Sequence, residues 1–438
     1  MQNYLKFKNK RLSVTFVLLA ILLIAAFFRI FDLNWDQNQH LHPDERFLTM
    51  VTQDIKFPEP LITYFIPHLS SLNPYNAGYN FFVYGTFPLN LVKLVSQIII
   101  FDQFSYNNIT LVGRLFSGLF DLGILVLIYL IGKKGFNFQT GLLASFLYLI
   151  SVLPIQLSHF FTVDSFLVFF LTLSFYFLLY LTDSQKHKHK SIPAFFLGIS
   201  FGLALACKVS ALYFLPIIIL GFLYYLIKTK NLKFLLLSTC YFLLATYLTF
   251  RFADPRVFVN SNIFDPQLNP QFVANLKQLK SFDDPNSLFP PAIQWIKTKP
   301  IIFPLKNIIL WGLGLPLGVL TVTAVLYTFY YFAKIFAVLL KKYKFKFIKH
   351  LTIKQFNYFL ILLWILLLFF YQGTQFVKTM RYFYPIYPFL TILAANFLYQ
   401  CIDTLKNSLN HKIFSLLLVT CYLLLLIYPL SFISIYTK

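Results

Sequence analysis

Residues 40–46, His-Leu-His-Pro-Asp-Glu-Arg, bring two carboxylates, two imidazoles and a guanidinium together. Pro43 favours an extended conformation at His42 and fits the first turn of a helix, so Asp44 and Glu45 should open a helix. Because a helix N-terminus stabilises negative charge, at least one carboxylate should stay ionised and able to accept a proton or bind a cation. Two acids that only stabilise a helix start would look the same, and these residues alone leave both readings open.

The helix that begins at Pro43 is predicted to run to Ile55. Phe47, Met50, Val51 and Ile55 recur at helical spacing, so one face of it is apolar. We expect this amphipathic helix to lie along a membrane surface.

A second acidic site is Asp164, within Ser-His-Phe-Phe-Thr-Val-Asp-Ser at residues 158–165. It lies at a turn between two apolar runs and is predicted to share a membrane side with Asp44. The alternative is a helix cap, since Asp164 begins the next apolar run.

Four basic residues lie at positions where a positive charge in a membrane protein requires an explanation. Arg114 and Asp121 lie seven residues apart on one helical face, and we expect Arg114 to bind an anion and Asp121, with Ser117 between them, to be structural. The alternative for Arg114 is that it extends to the membrane interface. Outer cations violate the positive-inside rule, and an anionic lipid phosphate would explain them better than contact with solvent or headgroups. They are Lys208, Lys378 and Arg381.

The composition is that of a polytopic membrane protein. Hydrophobic residues make up 58% of the 438, charged residues 12%, and the mean hydropathy is +0.69. The net charge of +22 comes without a basic domain with interleaved aromatics, so nucleic acid is not an expected partner. The cysteines lie far apart, without the spacing of a zinc site or a disulfide framework. They are Cys207, Cys240, Cys401 and Cys421.

Apolar runs of spanning length predict an all-α protein with about eleven transmembrane helices. Basic residues precede the first run, so the amino terminus should be cytoplasmic and this span uncleaved. The apolar stretch 81–101, broken by Gly85 and Pro88, is expected to skim or re-enter the membrane. The predicted spans are 12–30, 110–131, 140–157, 165–182, 192–207, 210–227, 234–252, 306–333, 356–371, 382–402 and 413–431.

We expect one membrane domain over residues 1–438. It comprises a core at 12–252 with an outer loop at 32–108, a second outer loop at 253–303, and carboxy-terminal helices at 304–438. Of the fifteen acids, only Asp183 and Asp403 should face inwards, so chemistry is expected outside a plasma or inner cell membrane. Neither GxGxxG nor GxxxxGK[ST] occurs, and an activated donor would therefore come from the membrane.

The order of these motifs resembles the GT-C membrane glycosyltransferases that use polyprenyl-phosphate sugars, including the protein O-mannosyltransferases and the aminoarabinose transferase of lipid A. Those enzymes also follow a first span with an acidic motif, here HPDE at 42–45, then a Pro-Leu element, here Pro88-Leu89, and an acid at the second outer turn, here Asp164. The Arg381-Tyr382 segment looks like their late Arg-Tyr motif. A departure is Thr-Phe-Pro-Leu at 86–89, where mannosyltransferases carry His-Pro-Pro-Leu.

The resemblance implies an inverting sugar transfer to a glycan, lipid or protein acceptor. Asp44 would be the general base, assisted by Glu45 and Asp164, and the cations named above, with Tyr382, would bind the donor phosphate. A divalent metal held by His42, Glu45 and Asp164 is left open. Two other classes compete, namely a lipid-linked sugar flippase, which would need chemistry on both membrane sides, and a surface polysaccharide polymerase, expected to have larger outer loops.

The predicted topology can be checked by cysteine labelling in a variant that lacks the four native cysteines. Lys188→Cys, in the basic tract 186–190, should react with an impermeant maleimide only after permeabilisation, because that tract is predicted to be cytoplasmic. Asp284→Cys should react in intact cells. Labelling of Lys188→Cys in intact cells would overturn the topology.

Overall fold

The computed structural model describes residues 2–99, 104–183, 191–286, 290–408 and 410–434, and over these ranges the chain is built of helices. The one pairing outside helices is an isolated antiparallel bridge between Phe258 and Leu268. The predicted all-α class is therefore confirmed. The basic tract at 186–190 lies outside the described residues.

Sixteen α-helices are described. In chain order they are α1 Gln2–Ile30, α2 Pro43–Asp54, α3 Phe87–Ile99, α4 Tyr106–Gly135, α5 Phe138–Leu149, α6 Val152–Ser158, α7 Asp164–Thr182, α8 Ser191–Cys207, α9 Leu215–Thr229, α10 Leu232–Ala253, α11 Pro270–Ser281, α12 Ile302–Asn307, α13 Leu315–Tyr343, α14 Ile353–Thr374, α15 Tyr387–Ser408 and α16 His411–Ile433.

Short 3₁₀ and π segments link several of these helices. The 3₁₀ segment Met380–Ile386 leads directly into α15 and carries the predicted Arg-Tyr motif. The other segments are Leu61–Phe65, Val209–Phe214, Pro255–Val257, Pro290–Trp295, Lys344–His350 and the π turn Ile308–Gly312.

Eight helices of the described chain are long and apolar enough to cross a membrane, and the bent pair α5–α6 would make a ninth. That pair, predicted as one span at 140–157, turns by 62° at its break. The predicted span 192–207 is α8, a shorter apolar helix of 17 residues. The count of about eleven is thus approximate, and the chain is a multi-pass membrane protein.

One predicted boundary needs correction. The span predicted at 306–333 begins at Leu315, because Gly314 has a left-handed φ of 87° and interrupts the helix after the π turn. Within the stretch 81–101, expected to skim or re-enter the membrane, the described helix is α3, with 13 residues. At 1.5 Å per residue these 13 residues extend about 20 Å, compared with about 30 Å for a hydrocarbon core.

Helix α2 begins at Pro43 as predicted, and Val51 and Ile55 of the predicted apolar face are fully buried. Leu48, outside that face, is also fully buried, whereas Met50, predicted on it, is 47% exposed. The buried face packs on α3 and α4, where the hydroxyl oxygens of Thr49 and Thr110 are 3.0 Å apart. Contact with neighbouring helices, and not only the spacing of large apolar residues, therefore fixes the rotation of α2.

A buried ion pair joins α1 to α4. Arg29 donates to Asp121, and both side chains are fully buried. Asp121 also accepts from the hydroxyls of Tyr148, at 2.5 Å, and Tyr384. Asp121, for which a structural role was predicted, is thus paired with Arg29, a partner that was not predicted, and not with Arg114 on its own helix.

Breaking this pair should destabilise the protein. Arg29→Met leaves the Asp121 carboxylate buried without its cation, a change that typically costs about 3–5 kcal/mol. The midpoint of thermal unfolding in detergent should fall markedly, and the double variant Arg29→Met/Asp121→Leu should regain much of the loss. A single variant as stable as the wild type would contradict this account.

Candidate functional site

Arg114 fixes the start of α2. Its guanidinium forms bidentate ion pairs with Asp36, at 3.0 and 2.7 Å, and with Glu45, at 2.8 and 2.7 Å. A fifth hydrogen bond, of 2.7 Å, goes to the carbonyl of Leu33. All three charged side chains are fully buried, so every N–H of Arg114 is used inside the protein.

Glu45 extends this network to the turn before α7. Its Oε1 accepts a hydrogen bond of 2.7 Å from the backbone N–H of Phe161. Phe161 lies three residues before Asp164, and Glu45 directly follows Asp44. Glu45 and Arg114 therefore bring the two acidic motifs together, and this geometry favours a structural part for both over the predicted contact with substrate.

Asp44, next to Glu45, points the other way along the helix surface. Its Oδ2 accepts from Arg381 and, at 2.7 Å, from the hydroxyl of Tyr84. The backbone N–H of Asp44 donates to Nδ1 of His42 at 3.2 Å, which caps α2. The Asp44 side chain remains 15% exposed and so is open to a ligand.

Asp164 is the first residue of α7, and the N-cap position before it is occupied by Val163. Instead, Oδ1 accepts from Nζ of Lys208 at 3.0 Å, and Oδ2 lies 3.9 Å from Nη1 of Arg381. The capping alternative is therefore disfavoured. Asp164 joins Asp44 through the guanidinium that lies between them.

Arg381 and Tyr382 come from the segment Met380–Ile386. The ring of Tyr382 lies against Lys208, with Nζ 5.0 Å from the ring centroid. One 3₁₀ turn later Tyr384 reaches Asp121, so this segment connects the site to the buried ion pair of α1 and α4. We name the four residues Asp44, Asp164, Lys208 and Arg381 the carboxylate–cation cluster.

The field of the cluster acts strongly on its ionisable groups. Burial alone would raise the pKa of Asp44, but the charge and hydrogen bond of Arg381 lower it to about 2. Burial, reinforced by Arg381, lowers the pKa of His42. At neutral pH Asp44 is therefore a carboxylate beside an uncharged imidazole.

Lys378 lies apart from the cluster. It is 3% exposed, and its Nζ donates to the hydroxyl of Thr298 at 3.1 Å and to the carbonyl of Phe376 at 2.8 Å. Burial lowers the pKa of this ammonium. These contacts attach residues 376–378 to the segment 253–303, which favours a structural part for Lys378 over the predicted phosphate contact.

The residues considered for a metal do not assemble as a ligand set. Both Glu45 oxygens are taken by Arg114, and Arg381 lies between Asp44 and Asp164, where a shared cation would lie. Among the described residues, no three His, Cys, Asp or Glu side chains are grouped to hold an ion. The guanidinium of Arg381 supplies the positive charge between Asp44 and Asp164.

Several residues of these networks were not predicted, among them Arg29, Asp36 and Tyr84. Arg29, inside the first apolar run, carried a usable signal, because a charge within a span is usually paired. Asp36 and Tyr84 carried none, since each reaches its partner across at least 40 positions of the chain.

The fold is shared with two solved membrane enzymes. The oligosaccharyltransferase AglB from Archaeoglobus fulgidus, in complex with an inhibitory peptide and a dolichol-phosphate, matches with a TM-score of 0.63 at 15% identity, over 98% of this chain and 56% of that one. ArnT from Cupriavidus metallidurans, in the apo state, matches with a TM-score of 0.52 at 13% identity, over 98% and 75%. The chain thus spans little more than half the length of AglB.

These matches show that the chain has the GT-C fold, as its motifs suggested. Residues 59–258 also match the family model of dolichyl-phosphate-mannose-protein mannosyltransferases. That segment includes Asp164 and Lys208 but neither Asp44 nor Arg381. No curated protein sequence matches the chain significantly.

The two arginines should respond differently to replacement by lysine. Arg114→Lys keeps the charge but cannot form both bidentate ion pairs. Buried carboxylate oxygens then lose hydrogen-bond partners, which should lower the free energy of unfolding by about 1–3 kcal/mol. Arg381→Lys should be tolerated, because Arg381 is partly exposed and its carboxylate contacts use one nitrogen. Thermal unfolding in detergent compares them, and equal losses would contradict the assignment.

Proposed function

We propose that the protein transfers a sugar from a polyprenyl-phosphate donor to an acceptor hydroxyl on the outer face of a cell membrane, with inversion at C1. The observation that carries this proposal is the carboxylate–cation cluster, in which two acids and two cations from distant parts of the chain share one partly exposed place. Such a transfer needs a carboxylate near the acceptor and positive charge near the departing phosphate.

Asp44 is the general base. It takes the proton of the acceptor hydroxyl while the acceptor oxygen forms a bond to C1 of the sugar. The bond from C1 to the phosphate oxygen breaks, and its electron pair stays on that oxygen. Tyr84 orients the Asp44 carboxylate through its hydroxyl, at 2.7 Å.

Arg381 and Lys208 stabilise the departing phosphate, and Tyr382 holds the Lys208 ammonium over its ring. Asp164 orients Lys208 or the acceptor. The similar proteins support a lipid-phosphate donor, since AglB was solved with a dolichol-phosphate and the matching family model is that of dolichyl-phosphate-mannose-protein mannosyltransferases. The acceptor is a glycan, a lipid or a protein.

Asp44→Asn tests the general base. The amide keeps the size of the side chain but removes the proton acceptor, so transfer should fall by roughly 10²–10⁴-fold. Purified protein would be incubated with labelled polyprenyl-phosphate sugars and a membrane extract as acceptor source, and loss of label from the lipid would be followed. Asp54→Asn, at the far end of α2, is the matched control and should keep wild-type turnover.

Full turnover by a stably folded Asp44→Asn variant would remove Asp44 as the base. A wild-type protein that moves the labelled lipid across vesicle membranes without releasing label from it would favour the flippase instead.

A further inference from the structure

The two cations assigned to the donor phosphate are already paired with the two carboxylates assigned to the reaction. Arg381 donates to Asp44 and lies 3.9 Å from Asp164, and Lys208 donates to Asp164 at 3.0 Å. A phosphate that binds these cations must therefore compete with the protein's own acids.

We propose an exchange of ion-pair partners, in which the donor phosphate displaces Asp44 and Asp164 from Arg381 and Lys208. Donor binding itself would then free the general base. This inference rests on the proposed function and adds an order to it: the donor binds first, and the acceptor hydroxyl is activated only afterwards. Without donor, the arginine keeps the base occupied.

The two kinds of arginine in this protein support the exchange. Arg114 is fully buried, and its five N–H groups are all bonded, so it cannot change partners. Arg381 is 19% exposed, and its contacts with the two carboxylates both use Nη1. Lys208 is 18% exposed. The cluster is therefore accessible to a ligand and has donors left with which an incoming phosphate can begin to bind.

The exchange also suits the chemistry of the base. While Arg381 compensates its charge, Asp44 has a pKa of about 2 and is a weak proton acceptor. When a phosphate takes that guanidinium, the same carboxylate loses its stabilising cation and becomes more basic. The phosphate and Asp44 are then coupled through Arg381, and such coupling acts equally in both directions.

Binding of polyprenyl phosphate without a sugar tests the coupling apart from turnover. The wild type, Asp44→Asn, Arg381→Gln and the double variant would be reconstituted in nanodiscs and titrated calorimetrically. Asp44→Asn should bind the lipid more tightly by roughly 5–150-fold, the usual range of coupling between sites, because Arg381 no longer has a competing carboxylate. In the Arg381→Gln background the same change should have little effect.

Asp54→Asn is the charge control and should leave the affinity unchanged. The cycle of Asp164→Asn with Lys208→Met provides an independent second test, which keeps the proposal falsifiable if Asp44→Asn does not fold. Unchanged or weaker binding by Asp44→Asn would overturn the exchange. An equal gain with and without Arg381 would also overturn it, because simple repulsion between Asp44 and the phosphate would then suffice.

The two proposals fail in different ways. Binding of polyprenyl phosphate without coupling between Asp44 and Arg381 would contradict the exchange but not the proposed sugar transfer. If the wild-type protein binds no polyprenyl phosphate, both the proposed class of donor and the exchange would be contradicted.

Discussion

The geometry of the site depends on the pairing of Arg114 with Asp36 and Glu45. Three charges with no exposure to solvent are stable only if each is neutralised and hydrogen-bonded, so the segments that carry them have little freedom to shift. Glu45 also accepts from the backbone of Phe161, which draws the turn before α7 towards α2. Asp44 and Asp164 come within reach of one guanidinium as a consequence.

Ion pairs serve two purposes in this molecule, and burial separates them. Arg29–Asp121 and the Arg114 network are sealed from solvent and hold helices together. In the pairs made by Arg381 and Lys208, the two cations are 19% and 18% exposed, although Asp164 is buried. A partly exposed pair contributes less to stability and can be broken at a lower cost, which is what the proposed exchange with a phosphate requires.

The segment Met380–Ile386 joins these two kinds of pair. Arg381 reaches Asp44, and Tyr384, three residues later, reaches Asp121 between α1 and α4. Residues spaced by three lie on one side of a 3₁₀ helix, so a short segment can contact both. The buried interior thereby positions Arg381, although Arg381 and Asp44 are separated by most of the chain.

The sequence by itself determined the helical membrane class and the start of α2 at Pro43, because hydropathy and turn chemistry are local properties. It also indicated Asp44 and Asp164 as candidate site residues. Only the tertiary structure decided which arginine is sealed inside the protein and which meets the site, since Arg114 and Arg381 look alike as charges near span ends. It also selected Tyr84 as the partner of Asp44. Burial and pairing are set by neighbours distant in sequence, and no local pattern encodes them.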